Sequence, residues 1–283
     1  SIAHGSTGAG NDQVRFDLIF QILSSDIKII TPIRDNKISR EEEISFLKKN
    51  GIKLNWDEKK YSINKGLWGT SIGGKETLRS RHSIPENAYP SKVDKKKEEN
   101  ITLKFKKGQI EAVNNIKASP VENIKKIEEI ANKFGVGRDT HVGDTIIGIK
   151  GRVGFQAAAP ILIIKAHHLL EKHTLTKWQL IYKEQLCINY GLLLHEGQYL
   201  DPVMRDIEEF LISSQKNVSG DVFIKLKPYR YELVGIKSKF DLMDSKFGNY
   251  GEMNKKWSAD EVKGFIKILS NQNKIYQKIN KND

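Results

Sequence analysis

A glycine-rich run set between a strand-like opening and a helix dictates how this chain begins: Ser1-Ile2-Ala3-His4, then Gly5-Ser6-Thr7-Gly8-Ala9-Gly10, then Asn11-Asp12-Gln13-Val14-Arg15-Phe16. Glycines in such a loop let the backbone approach a ligand closely. The amide groups that open the following helix have no partner inside it, so they favour an anion in the loop. The reading is a strand ending at His4, a loop to Gly10 and a helix capped by Asn11 or Asp12 that runs to about Leu23. Residues 26–32, with Ile27, Ile29 and Ile30, read as a short buried strand. Ser39 caps a second helix whose first turn carries Glu41, Glu42 and Glu43, where they complement the helix dipole, and which stops near Asn50-Gly51. Strand, loop, helix, strand, helix is the rhythm of a doubly wound sheet, with too few strands to complete one.

The loop is not a Walker A sequence, because no Gly-Lys-Ser/Thr follows, and its glycine spacing is not that of a dinucleotide fingerprint. Asn11 and Arg15 lie one helical turn apart and can reach the same ligand. Arg15 can clamp a carboxylate with two parallel hydrogen bonds. Thr7, Asn11 and Asp12 add hydroxyl, amide and acidic contacts at the same mouth, a set able to hold an amino acid by its carboxylate and amino groups.

From about residue 57 the chain changes character. Residues 60–88 read as a long loop-rich stretch, a length that is usually functional or disordered. Residues 101–105 and 110–113 alternate around Lys106-Lys107-Gly108-Gln109 as a hairpin. Ser119-Pro120 opens a helix ended by Gly135. A second β stretch covers residues 145–155, two or three helices cover 158–214, and a last hairpin pairs 222–226 with 231–236. Residues 258–279 read as one long helix with a rough apolar stripe (Val262, Phe265, Ile266, Leu269, Ile275), suited to docking on another subunit or on its own domain.

Composition narrows the function classes. The longest apolar runs, such as residues 161–164, are too short to cross a bilayer, so no membrane role is expected. The formal net charge is +12, but the excess is mostly lysine spread along the chain. The densest cluster, Lys95-Lys96-Lys97, is bracketed by Asp94, Glu98 and Glu99 and has no interleaved aromatic, which reads as a solvated surface and not a nucleic-acid site. One cysteine, Cys187, excludes an internal disulfide and a cysteine zinc site; it reads as a buried structural thiol in a reducing, cytoplasmic setting. His167, His168 and His173 read as structural histidines, and no metal-binding residue is assigned.

The run His4-Gly5-Ser6-Thr7-Gly8-x-Gly10-Asn11-Asp12-Gln13-Val14-Arg15-Phe16 resembles the signature of the argininosuccinate synthases. Later landmarks follow in that family's order: Arg40-Glu41-Glu42, Tyr61-Ser62-Ile63-Asn64, Leu67-Trp68-Gly69-Thr70-Ser71-Ile72, Gly135-Val136-Gly137-Arg138 and Lys150-Gly151-Arg152. The resemblance implies an ATP-dependent condensation of L-citrulline with L-aspartate to argininosuccinate, AMP and pyrophosphate through a citrullyl-adenylate, with Mg2+ accompanying the ATP. It implies that Gly5 lies against ATP, that Thr7, Asn11 and Asp12 hold aspartate, and that Asn11, Arg15, Ser62 and Ser71 hold citrulline, with no residue assigned as acid or base. Two positions depart from the family pattern: Gly143 stands where many members have a citrulline-contacting Glu, and Phe155 where many have Tyr. Asp144, one position on, would point elsewhere unless the backbone shifts.

The implied fold is α/β: residues 1–56 as the C-terminal part of a doubly wound nucleotide-binding domain, 57–257 as an α+β synthetase and multimerisation domain, and 258–283 as an oligomerisation helix in a cytoplasmic homotetramer. The family opens with a Ser-Gly-Gly-x-Asp-Thr-Ser phosphate loop that nothing here matches. The start at Ser1 therefore reads as a cut, and the chain by itself is expected not to adenylate citrulline. The alternative reading is a catalytically incomplete module that oligomerises and holds substrate. A nucleic-acid binder, resting on charge alone, comes last.

Overall fold

The computed structural model describes residues 1–52, 61–244, 247–248, 250–251 and 255–282. The expected domain boundary at residues 56 and 57 lies outside them. Two compact units are present, residues 1–240 and 241–283.

In the first unit β1 (Ile2–Ala3) leads through the glycine-rich loop into α1 (Asp12–Leu23), then β2 (Ile29–Ile30), α2 (Pro32–Asp35) and α3 (Arg40–Lys49). β1 and β2 pair in parallel, so the loop sits at the carboxyl end of β1, as the sequence rhythm implies. Ser39 accepts a hydrogen bond from the Glu42 backbone while Glu42 reaches back to the Ser39 amide. This reciprocal capping box fixes the start of α3 and, at such sites, is worth about 1 kcal/mol.

There follow β3 (Ser62–Gly66), β4 (Gly69–Gly73), β5 (Glu99–Lys106), β6 (Gln109–Val113), β7 (Ile116–Lys117), α4 (Pro120–Asn132), β8 (Arg138–Asp144), β9 (Lys150–Gln156), α5 (Ala158–Thr174), α6 (Lys177–His195), α7 (Val203–Ser214), β10 (Gly220–Lys227) and β11 (Arg230–Lys237). An antiparallel five-stranded sheet has the order β11-β10-β5-β6-β7. Alternation sorts its faces: Ile101, Leu103 and Phe105 of β5 and Val222, Ile224 and Leu226 of β10 point inward with α4 and α5, together with Ile127, Phe134, Leu162 and Leu170. Burying each of these large side chains is worth roughly 1.5–3 kcal/mol, and together they form the main core. A second antiparallel sheet runs β3-β4-β9-β8.

Several elements differ from the sequence reading. The loop-rich stretch contains the β3–β4 hairpin. All five β3 residues are exposed, so no apolar alternation advertised the strand. The β stretch expected at 145–155 is half turn: residues 145–149 connect β8 to β9, and polar, exposed β8 carried no strand pattern. Cys187 is only partly buried, because α6 buries none of its residues in this chain. In the second unit the expected single helix is interrupted at Ser270, giving α8 (Ala259–Leu269) and α9 (Asn271–Ile279). Phe265, Ile266, Leu269 and Ile275 are exposed there. No described helix is long and apolar enough to cross a membrane.

Candidate active site

The glycine-rich loop is shaped from beneath by a polar chain that its own sequence did not advertise. Ser6 N–H donates to His4 Nδ1 at 3.3 Å, which leaves the His4 proton on Nε2, directed to Asp17 at 2.8 Å. Asp17 also meets Arg34 at 2.7 Å. Arg34 donates to Gln13 Oε1 at 3.2 Å, and Gln13 Nε2 donates to the Gly8 carbonyl at 2.6 Å. Burial alone would raise the Asp17 pKa, but hydrogen bonds from His4 and Arg34 outweigh it and hold the carboxyl below its usual range. The loop thus rests on a fixed ionic floor, with Gly5, Thr7 and Gly8 left exposed above it. Asp17 and Arg34 carried no sequence signal, since they lie on separate elements joined only by the fold.

Asn11 occupies the N-cap position of α1 but makes no side-chain cap bond, contrary to the capping role expected of it. Its amide is used elsewhere. Oδ1 accepts the Ile146 N–H at 2.8 Å, and Nδ2 lies 3.4 Å from His195 Nε2. Arg15, one turn on, donates from Nε to the His195 carbonyl at 2.9 Å and reaches Asp12 at 3.5 Å. Asn11 and Arg15 therefore do face one region, as their spacing implies: the C-terminal end of α6 and the tip of the β8–β9 hairpin. Gly197, in the left-handed region at φ +81°, lets the chain leaving α6 pass within contact of the Arg15 backbone.

Ser62 and Ser71 lie on the four-stranded sheet. Ser71 pairs with Asn64, and Ser62 is two residues away on the same strand, so both serines share one face. Ser71 is also opposite Phe155, and Phe155 opposite Asp139, which places that phenyl ring on the serine face. The other face is closed: Thr70, Ile72 and Gln156 are buried there, and Ile84 and Ala88 cover it. The serine face carries only exposed or half-buried residues. It is tied to the loop region by the Ile146–Asn11 bond. Among the described residues no hydrogen bond joins either serine to Asn11 or Arg15.

β8 and β9 pair without a register shift from Arg138 to Asp144. Gly143 and Asp144 consequently face opposite ways, and Asp144 pairs with Lys150 at 2.6 Å. The backbone shift that would let Asp144 stand in for a side chain at 143 is absent. A Cβ at Gly143 would come within 2.7 Å of His141 Nε2, so the imidazole already fills that space, on the same face as Ser71 and Phe155.

Two of the landmark motifs turn out to hold structure. Gly135 and Gly137 both have left-handed φ, at +69° and +75°, turning the chain out of α4 into β8. Arg138, with its side chain 5% exposed, binds Glu86 and the Ser91 carbonyl and stacks over Tyr89. Arg152 donates to the backbone carbonyls of Glu76 and Arg79. Among the described residues there is no group of three or more His, Cys, Asp or Glu that could hold a metal ion.

Residues 1–53 match the family described as arginosuccinate synthase N-terminal HUP domain, and residues 61–276 the arginosuccinate synthase C-terminal domain. An argininosuccinate synthase of Methanocaldococcus jannaschii is 38% identical over 280 residues, covering 98% of this chain and 70% of that protein. One from Dictyoglomus thermophilum is 35% identical, covering 97% and 70%. Another, from Xanthomonas campestris pv. campestris, is 34% identical, covering 99% and 72%.

Proposed function

The chain belongs to the argininosuccinate synthase family, and from that premise we propose which of its residues hold the substrates of the family's reaction. That reaction is the ATP-dependent ligation of L-citrulline to L-aspartate, giving argininosuccinate, AMP and pyrophosphate. The citrulline site comprises Asn11 and Arg15 on the loop side and Ser62 and Ser71 on the open sheet face. The aspartate site comprises Thr7, Asn11 and Asp12, and Gly5 lies against ATP. The observation that carries this reading is the hydrogen bond from Ile146 to Asn11, which ties the sheet bearing both serines to the loop bearing the other contacts.

ATP adenylates the ureido oxygen of citrulline and releases pyrophosphate; the α-amino group of aspartate then attacks the activated carbon, and AMP leaves. Neither step needs a covalent bond to the protein. The residues named act by positioning and by complementing charge, which is where such reactions find most of their acceleration. Arg15, already aligned by the His195 carbonyl, presents the rest of its fork to the citrulline carboxylate. Mg2+ enters with the ATP phosphates as their counter-ion.

The domain reading is 1–56 as part of the nucleotide-binding domain, 57–257 as the synthetase domain and 258–283 as an oligomerisation segment. The exposed apolar residues of α8 and α9 support a contact between subunits, and the assembly proposed is a cytoplasmic homotetramer. Calorimetric titration of the chain with L-citrulline tests the site directly, without requiring turnover. Arg15→Ala is expected to weaken binding at least tenfold, and Phe155→Tyr to leave it equal or tighter. Arg15→Ala with unaltered affinity overturns the assignment.

A further inference from the structure

On the outer face of the five-stranded sheet, away from the loop and the serines, six lysines converge on one concavity of about 560 Å3. They are Lys104 and Lys106 of β5, Lys107 in the β5–β6 turn, Lys216 before β10, and Lys237 and Lys239 at the end of β11. None of them forms an ion pair with a described residue. Two acidic side chains share the lining, Glu111 and Asp221, and Glu111 already pairs with Lys117 at 3.5 Å. The lining thus carries six positive and two negative groups, a formal excess of four positive charges facing one space.

The frame that presents these lysines is fixed. Lys107 N–H donates to Ser219 Oγ at 2.8 Å, Ser238 Oγ donates to the Ser219 carbonyl at 2.6 Å, and Phe240 N–H donates to Ser238 Oγ at 3.0 Å. A Cβ at Gly220 would lie 2.6 Å from the Lys237 carbonyl, so only glycine lets β11 close this tightly over β10. Across the sheet Asp221 is paired with Lys237 on one side and Lys104 on the other. Its Oδ1 is fully buried and has no hydrogen-bond partner. Asp221 thus stands in register between two lysines of the lining, with a carboxylate oxygen buried and unused.

Like charges gathered in a concave site repel one another and are relieved by a multivalent counter-anion, more effectively than on a flat surface where salt screens them. The volume is that of a small-molecule site and not of a nucleic-acid groove. We propose that this concavity binds an inorganic oligophosphate, the class to which the pyrophosphate released by the family's reaction belongs. Lys104, Lys106, Lys107, Lys216, Lys237 and Lys239 supply the charge, and Asp221 limits the affinity.

Titration of the chain with inorganic triphosphate, followed by calorimetry at low and moderate salt, tests this. Wild type is expected to bind triphosphate at least tenfold more tightly than sulfate and to weaken as NaCl is added. Lys104→Gln with Lys237→Gln should lower the affinity at least tenfold, whereas Asp221→Asn should raise it several-fold. Lys95→Gln with Lys96→Gln and Lys97→Gln, outside the concavity, should leave it within twofold. Circular dichroism checks that each variant is folded. No binding by wild type, an equal loss in the outside triple variant, no gain in folded Asp221→Asn, or single-stranded RNA binding these lysines more tightly than triphosphate would each overturn the proposal.

Discussion

Gly137→Ala offers a test in which the structure supplies the magnitude. Gly137 has φ +75°, and a Cβ there would lie 2.6 Å from both the carbonyl carbon and the oxygen of Ala157 and 2.7 Å from Ala158 Cα. These are backbone atoms at the entry to α5, the helix at the centre of the core, and cannot swing aside. The Gly137 carbonyl also accepts the Ala157 N–H at 2.8 Å, so moving apart breaks that bond. Left-handed backbone costs an alanine about 1–2 kcal/mol, and forced overpacking typically a further 1–3 kcal/mol. The expected loss is therefore about 2–5 kcal/mol, or roughly 4–10 °C in Tm for a unit of this size. Gly148→Ala separates the two contributions. Its φ is +80°, yet nothing lies within 4 Å of the added Cβ, so only the conformational cost of about 1–2 kcal/mol applies. Urea unfolding followed by tryptophan fluorescence, with thermal circular dichroism alongside, measures both. If Gly137→Ala loses no more stability than Gly148→Ala, close packing against α5 is not what demands glycine there.

Glu171 is fully buried; its Oε1 accepts from Gln215 at 2.9 Å, and Oε2 meets Lys183 Nζ at 2.9 Å as a charge contact outside hydrogen-bonding geometry. Glu171→Leu strands the Lys183 ammonium and should cost about 3–5 kcal/mol in urea unfolding, most of it recovered on adding Lys183→Met. Burial pushes the His167 pKa down, and the pull of Glu171 upward only partly offsets it. The unfolded chain therefore binds a proton near its ordinary pKa of about 6.5 that the folded chain does not, and stability that is full above that pH is lost as pH falls below it. The slope contributed approaches about 1.4 kcal/mol per pH unit, and His167→Gln should flatten it in unfolding measured between about pH 7 and pH 5.

Elements with an apolar side and explicit end signals were legible in the sequence. α1, α3, α4 and the β10–β11 hairpin fall within a residue or two of where caps, glycines and alternation put them. The two missed strands share one cause. β3 and β8 are strands at the edges of their sheet, with little or nothing buried, so hydrophobic period could not mark them. The break at Ser270 leaves no trace in composition, because serine is tolerated inside helices as well as at their ends. Among the candidate site residues, the spacing of Asn11 and Arg15 correctly implied a shared direction. What they face, the carbonyl of His195 and the amide of Ile146, comes from backbone more than a hundred residues away, and backbone groups have no letter in a sequence. The Asp17–Arg34 support was silent for the same reason: its members acquire meaning only after β1 and β2 have paired.

The Asn11 amide is already spoken for on both of its ends. Each end still has one capacity unused, a second lone pair on Oδ1 and a second N–H on Nδ2, so a guest can bind Asn11 while Ile146 and His195 keep their hold. Occupancy at the glycine loop and order at the hairpin tip then rise together. Amide hydrogen exchange at Ile146 becomes a direct readout of whether that guest has arrived.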